Sequence, residues 1–255
     1  MYLTGDNKDN AGIGFSEGTH LLGSLFNKTE KGKEKYIKMS LDNKFIEEKP
    51  KISRFNFDFN PFAGGPMKPG TQIRTWMDNV DELTASDDIH GMIINLKNVS
   101  AGWGKRSDIR NTLKKFKDSG KKIIVYGEQG ISNIDYSLVA LADEIYINPL
   151  TGVDLRGLRM EVTFYRDLLD TLSIKPEIFR VNKEGKSYKT AGDSFINNTM
   201  SDEMRENYTE LLDDFYSQFV NDIADGRNWT TEDTKNIINA GPYWIPQDAI
   251  NAGLI

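Results

Sequence analysis

The residues best suited to chemistry lie in one short stretch, Ser187-Tyr188-Lys189-Thr190-Ala191-Gly192-Asp193. A mostly apolar run at 177–181, short enough for a buried strand, precedes it, and helix-starting residues follow it. We therefore predict a strand, a lysine-rich loop and then a helix. In open α/β sheets the loops after the carboxyl ends of strands carry the chemistry, so Lys189 is either a solvated charge or a general base. Solvation is the commoner state for a lysine.

Two further loops follow predicted strands and carry candidate positions. The first is rich in small residues, and at Ala101 and Gly102 backbone N–H groups could face a ligand, as an oxyanion hole requires. Glycine after a strand is also ordinary turn geometry. The second loop ends in Ser132 and Asn133, at the start of a predicted helix. A serine there is more often a helix N-cap than a nucleophile.

Composition excludes several classes of function. The chain has 255 residues, of which 38% are hydrophobic, and its net charge of -6 argues against nucleic-acid binding. It has no cysteine and only two histidines, His20 and His90, so we expect no thiol catalysis, no disulfide, no metal and no cofactor. Because no run approaches the ~18 apolar residues of a membrane helix, we expect this chain to be soluble. A membrane segment upstream of Met1 stays open.

Hydrophobic periodicity predicts alternating strands and helices from residue 35 onward. A helix at 162–172 and a mainly helical last third, with a capped helix beginning at Thr230, are part of this pattern. Such alternation predicts an α/β fold of parallel βαβ units with a helical carboxy-terminal region. The strands are predicted at 36–41, 91–96, 122–126, 144–148 and 177–181.

Two segments are predicted to lie outside this pattern. Residues 1–34 are polar and rich in glycine and asparagine, which is typical of a flexible lead-in. Residues 50–70 carry four phenylalanines at mostly two-residue spacing, which predicts an aromatic arm that packs on its own core or docks on a neighbouring subunit. We therefore predict a lead-in followed by a single domain at 35–255.

The motifs of this domain together resemble signal peptide peptidase A (protease IV), specifically the amino-terminal half of its long, two-domain form. The resemblance is carried by Gly91 to Asn98, Gly127-Glu128, Tyr136 to Pro149, Gly152 to Leu158, Phe179-Arg180-Val181, Ser187 to Asp193, and Ala249 to Ile255. It covers roughly residues 35–255. The Tyr-Lys-Thr-Ala element at 188–191 is its most specific part.

The resemblance implies a ClpP/crotonase-like superhelix and a serine peptidase with a Ser/Lys dyad. Lys189 matches the position of the general base, and the serine is implied on a Ser-Gly-Gly segment of a second domain. Two loops depart from the serine-bearing half of the family: residues 131–136 lack the paired glycines, and Ser100-Ala101-Gly102-Trp103 replaces a Pro-Gly-Gly oxyanion loop. We therefore expect a lysine-bearing fragment that is inactive alone, with Ala101, Gly102, Ser132 and Asn133 as oxyanion-loop or substrate-cleft positions.

The family also implies hydrophobic peptide substrates such as spent signal peptides, a homotetramer, and attachment to the cell membrane through segments outside this chain, with the catalytic domain outside the cytoplasm. An exposed lysine has a pKa near ~10.4, so a lysine base needs dry or positively charged surroundings. We therefore expect Asp193 not to point at the Lys189 ammonium. A non-catalytic assembly domain of the same fold and a crotonase-like acyl-CoA enzyme stay as alternatives.

Overall fold

The computed structural model describes residues 34–41, 44–48, 70–180 and 187–255. In this part of the chain the elements, in order, are β1 (Tyr36–Leu41), β2 (Phe45–Ile46), β3 (Thr71–Gln72), α1 (Ile73–Ala85), β4 (Gly91–Leu96), α2 (Trp103–Asp118), β5 (Lys122–Gly127), α3 (Asn133–Val139), β6 (Glu144–Ile147), α4 (Arg166–Thr171), α5 (Asp193–Ile196), α6 (Asp202–Arg227), α7 (Thr231–Ala240) and α8 (Pro246–Asn251).

The centre of the fold is a four-stranded parallel sheet in the order β1-β4-β5-β6. Its strands are short apolar runs whose alternate side chains face opposite sides of the sheet. In β4, Met92, Ile94 and Leu96 are buried, whereas Ile93 and Asn95 are half-buried. The main core therefore lies on one face of the sheet.

Two helices that connect the strands pack against each other and contribute to this core. Each buries apolar residues spaced three or four apart, the period that places side chains on one side of a helix. The buried residues include Trp76, Val80 and Leu83 in α1, and Ile109, Leu113 and Phe116 in α2. The predicted α/β class of parallel βαβ units with a helical carboxy-terminal region is confirmed.

The carboxy-terminal helices begin at hydroxyl caps. Ser201 Oγ accepts a hydrogen bond from the Met204 N–H at 3.3 Å at the start of α6, and Thr230 Oγ1 accepts one from Asp233 N–H at 3.0 Å at the start of α7. The predicted cap at Thr230 is confirmed. In the described residues, no helix combines the length and the apolar character needed to cross a bilayer.

Tyr136 fastens α3 to these carboxy-terminal elements. Its hydroxyl donates to the Leu254 carbonyl at 2.9 Å and accepts from Arg227 Nε at 2.9 Å. Burial raises the pKa of Tyr136 to about 12, against the opposing effect of the Arg227 charge. The neutral hydroxyl is therefore a fixed part of the core.

The predicted helix at 162–172 is too long, and the predicted strand at 177–181 does not form in the described residues. Only Arg166–Thr171 is helical, and none of its residues is buried. Residues 174–180 have no regular structure, Phe179 is 92% exposed, and residue 181 lies outside the described part. Apolar periodicity needs a packing partner to fix a helix or a strand, and neither segment packs on the core of the described chain.

The remaining differences concern the edges of the domain. The short parallel pair of β2 and β3 was not predicted. The predicted lead-in at 1–34 and aromatic arm at 50–70 lie outside the described residues, apart from Glu34 and Gly70. These two domain assignments stay predictions.

Candidate active site

The loops after β4 and β5 leave the same edge of the sheet, because the two strands run parallel and pair in register to their carboxyl ends. We call residues 97–102 and 128–133 the carboxyl-edge loops. The first contains Ala101 and Gly102, and the second contains Ser132 and Asn133. The sheet therefore brings both pairs of predicted residues to one edge.

A buried ion pair joins α2 and α3, the helices that follow the two carboxyl-edge loops. Arg106 Nη1 lies 2.7 Å from Asp135 Oδ1, and the side chains are 14% and 2% exposed. The same guanidinium donates through Nε to the Ala101 carbonyl at 2.9 Å and through Nη2 to the Val99 carbonyl at 2.5 Å. Because these donors lie in a rigid fork, one side chain fixes the path of the first loop and ties it to α3.

Above Gly102 the surface is open. Gly102 is the N-cap of α2, and a Cβ placed on Gly102 or on Gly104 would meet no atom within 4 Å. An open cleft of about 430 Å³ lies here, and its lining residues are Lys44, Phe45, Asn98, Val99, Ser100, Ala101, Gly102 and Lys105. Predicted residues Ala101 and Gly102 therefore lie on a cleft that is accessible to a ligand.

Ser132 and Asn133 have structural partners. Ser132 occupies the N-cap position of α3, as predicted, but its hydroxyl donates to Asp135 Oδ2 at 2.7 Å and makes no side-chain bond to a backbone N–H. The Asn133 side chain accepts from Arg156 N–H at 2.9 Å and donates to the Gly157 carbonyl at 3.4 Å. Both side chains hold neighbouring loops in place.

Lys189 lies on the surface, in a segment that we define as residues 187–193 and call the Lys189 segment. Its side chain is exposed. The preceding residue is anchored on α6, since Tyr188 hydroxyl donates to Glu206 Oε2 at 2.8 Å and the Tyr188 carbonyl accepts from Asn207 Nδ2 at 3.2 Å. The hydrogen bond to Glu206 raises the pKa of the Tyr188 hydroxyl. The lysine therefore projects from an anchored backbone.

Asp193 ends this segment and is buried. It is 1% exposed, and its carboxylate accepts from Arg180 Nη1 at 2.5 Å and from Ser201 Oγ at 2.6 Å. Its N–H donates to the Thr190 carbonyl at 2.9 Å, which closes a turn just after Lys189. Among the described residues, the partners of the Asp193 carboxylate are Arg180 and Ser201, and no ion pair joins it to Lys189.

The described structure does not join Lys189 to the carboxyl-edge loops. Among the described residues, no hydrogen bond or ion pair links Lys189 with Ala101, Gly102, Ser132 or Asn133. Because no strand forms at 174–180, the lysine does not follow the carboxyl end of a strand as predicted.

Four residues that organise these regions were missed from the sequence. They are Arg106, Asp135, Arg180 and Ser201. One signal was available, because Asp135 follows Ser132 by three positions, the spacing at which side chains meet in a first helical turn. The arginines could not be identified from the sequence, because each is far from its aspartate along the chain and only the fold brings the two together.

Comparisons with known proteins agree on one family. Residues 115–255 match Peptidase family S49. The chain is 33% identical over 168 residues to "Serine protease SPPA, chloroplastic" of Arabidopsis thaliana, covering 66% of this chain and 24% of that protein. It is 34% identical over 147 residues to "Protease 4" of Haemophilus influenzae, covering 56% and 23%. "Protease 4" of Salmonella typhi is 32% identical over 146 residues, with the same coverage.

The chain thus spans about a quarter of the length of these relatives. Among solved structures, a peptidase from Plasmodium falciparum superposes with a TM-score of 0.43 and 9% identity, covering 72% of this chain and 86% of that one. The predicted resemblance to the signal peptide peptidase A family, with its ClpP/crotonase-like α/β fold, is confirmed by the sequence matches and the parallel sheet. This chain therefore belongs to peptidase family S49.

Proposed function

We propose that this chain is the lysine-bearing half of a serine endopeptidase, in which Lys189 is the general base for a serine supplied by a second domain. The observation that carries the proposal is the contrast between two side chains within the family match. Lys189 is exposed and pairs with no acidic side chain among the described residues, whereas the hydroxyl of Ser132 is already donated to Asp135. Lys189 is therefore free to accept a proton from a serine of another domain, whereas the Ser132 hydroxyl is already engaged by Asp135.

The proposed reaction uses a neutral lysine. Lys189 Nζ accepts the proton of the incoming serine hydroxyl while the serine oxygen bonds to the carbonyl carbon of the peptide. The peptide C–N bond then breaks, and the lysinium returns the proton to the departing amine. Water releases the acyl group from the serine in a second step, with the lysine again as the base.

A second domain supplies more than the nucleophile. A solvent-exposed lysine is protonated near neutral pH, and removing water from its surroundings favours the neutral form. A domain that docks over the Lys189 segment would remove that water and deliver the serine in one event. We therefore expect this chain alone to be inactive.

The cleft at Ala101 and Gly102 is the proposed surface for the bound peptide. Arg106 donates to the Ala101 carbonyl, which removes this acceptor from the cleft, while the first backbone N–H groups of α2 have no acceptor within the helix and can donate to a peptide carbonyl. The open space over Gly102 admits an extended chain without a clash. We assign the oxyanion hole itself to the serine-bearing domain.

The proposal extends to substrate and setting through the family. Hydrophobic peptides such as spent signal peptides are the proposed substrates, and a homotetramer is the proposed assembly. Attachment to the cell membrane is proposed through segments outside this chain, with the catalytic domain outside the cytoplasm.

The test is a lysine substitution in the complete natural protein. Lys189→Ala should lower kcat for a fluorogenic hydrophobic peptide by about 10³-fold or more, because a missing base leaves the serine hydroxyl protonated. Lys175→Ala is the matched control, since Lys175 is also exposed and lies outside the Lys189 segment, and it should leave kcat unchanged.

Other outcomes separate the alternatives. Wild-type turnover by Lys189→Ala would make this chain a non-catalytic assembly domain. Labelling of Ser132 in the isolated chain by a serine-reactive fluorophosphonate would contradict the external serine. Stabilisation by CoA esters in a thermal-shift assay would favour an acyl-CoA enzyme, and we expect no shift.

A further inference from the structure

The Lys189 segment is held at its base by a small buried network. Arg180, at the end of the irregular segment 174–180, donates to Asp193, which in turn accepts from Ser201 at the start of α6. Next to this ion pair, a Cβ on Gly192 would lie 2.5 Å from Ile178 Cδ1, so the Ile178 side chain packs directly against the Gly192 backbone. Two contacts therefore join the chain before the segment to its end.

Arg180 and Ser201 also fix the position of the Asp193 carboxylate, which is a negative charge close in sequence to Lys189. Asp193 follows Lys189 by four positions, and the Thr190 to Asp193 hydrogen bond turns the backbone between them. Both carboxylate oxygens are occupied, one by Arg180 and one by Ser201. Without Arg180, this carboxylate would be a buried charge without its cation, and Lys189 is the cationic residue of the segment itself.

We propose that Arg180 is a positioning residue for the Lys189 base. It holds the Asp193 carboxylate at the base of the segment, which fixes the backbone after the lysine and prevents an Asp193–Lys189 ion pair that would keep the lysine protonated. The inference rests on the proposed function, since it assigns Arg180 a role only if Lys189 acts as the base.

The other charges around the segment stay constant in the test. Glu203, Glu206 and Glu210 of α6 face Tyr188 and raise the pKa of its hydroxyl. In α4, Arg166 is paired with Asp170 at 3.7 Å. Changes at Arg180 and Asp193 therefore alter the local charge without altering these groups.

The experiment measures pH–rate profiles of the complete natural protein with a hydrophobic fluorogenic peptide. Arg180→Met should lower kcat by up to ~10²-fold through misplacement of the base. Its acid limb should move to higher pH by about one unit, because the freed carboxylate stabilises the lysinium. Asp193→Asn should move the acid limb to lower pH, because a negative charge is lost and Arg180 is left unpaired. KM should change less than about twofold in both variants, since neither side chain is assigned to substrate.

Three further variants complete the design. The double variant Arg180→Met with Asp193→Asn should return the acid limb close to the wild-type position, and Arg180→Lys should retain it. Arg159→Met is the matched control, because it breaks an exposed ion pair with Glu161 at 2.9 Å and should leave the profile unchanged.

The outcomes separate this inference from the proposed function. If Lys189→Ala keeps its activity, the proposed function fails and the positioning role fails with it. If Lys189→Ala is inactive but the variants at Arg180 and Asp193 lower kcat without opposite shifts of the acid limb, only the positioning role is overturned. Should Arg180→Met fail to fold, Asp193→Asn and Arg180→Lys give the same decision from their own profiles.

Discussion

Two buried aspartates in this chain have nearly the same partners and different surroundings. Asp135 accepts from Arg106 at 2.7 Å and from Ser132 at 2.7 Å. Asp193 accepts from an arginine at 2.5 Å and a serine at 2.6 Å. Each is 1% exposed and lies in the first turn of a helix, where a negative charge is favourable.

The surroundings separate the two sites. Arg106 also donates to two backbone carbonyls, and the residues that follow Asp135 in α3 are buried in the core. Arg180 has one described acceptor, and its neighbour Phe179 is 92% exposed. The Arg106–Asp135 site is enclosed by core residues of this chain, whereas Lys189 and Phe179 beside the Arg180–Asp193 site are exposed. The proposed sharing of the site with a second domain would account for this contrast.

Removal of each carboxylate tests the comparison most strongly. Asp135→Ala should lower the free energy of unfolding by about 3–5 kcal/mol, because it leaves the buried Arg106 charge without a counterion. Asp193→Ala should cost about half as much, since the stranded Arg180 is 24% exposed and can regain water. Urea denaturation of this chain measures both, and equal losses would show that the two sites are equally embedded.

Two tyrosines give a second contrast, read at alkaline pH. Burial raises the pKa of Tyr136 from the usual value of about 10 for a tyrosine to about 12, whereas the exposed Tyr188 owes its raised pKa chiefly to the hydrogen bond with Glu206. A neutral group with a raised pKa stabilises the fold fully below about pH 10 and loses that contribution as pH rises toward 12. For Tyr136 the loss is about 2–3 kcal/mol.

The matched variants are Tyr136→Phe and Tyr188→Phe. We expect Tyr136→Phe to remove this part of the alkaline destabilisation, and Tyr188→Phe to follow the wild-type curve. Urea midpoints between pH 8 and 11, each compared with wild type, measure the effect. Identical curves for Tyr136→Phe and wild type would mean that burial of this hydroxyl does not couple to alkaline unfolding.

Glycine substitutions give the smallest contrast. A Cβ on Gly127 would lie 2.8 Å from the Gly130 carbonyl oxygen, so the backbone of the carboxyl-edge loop must shift, at a cost of about 1–3 kcal/mol. A Cβ on Gly192 would instead meet Ile178 side-chain atoms, which can rotate into solvent at a cost of about 0.5 kcal/mol. Thermal unfolding of Gly127→Ala and Gly192→Ala gives the ranking, and a reversed order would place the Lys189 segment in the tighter environment.

The sequence-based predictions were more accurate for the central sheet and its carboxyl-edge loops than for the region before the Lys189 segment. The strands at 36–41 and 91–96 were predicted to the residue, because short apolar runs between turn residues have few other uses in a chain of this composition. The predicted strand at 177–181 has three apolar residues but also Glu177 and Arg180, and it was wrong, because residues 177–180 pair with no strand of the described structure. The candidate residues were found from their loops, but the arginines that arrange those loops were not.

The sequence by itself determined the parallel α/β class, the family, and Lys189 as the candidate base, because periodicity and a short motif are local properties of a chain. Only the tertiary structure decided that the Ser132 hydroxyl is used by Asp135 and that Arg180 holds Asp193. These pairings depend on which side chains the packed elements bring within about 3 Å of one another, the range in which a hydrogen bond forms. Spacing along the chain does not specify that distance.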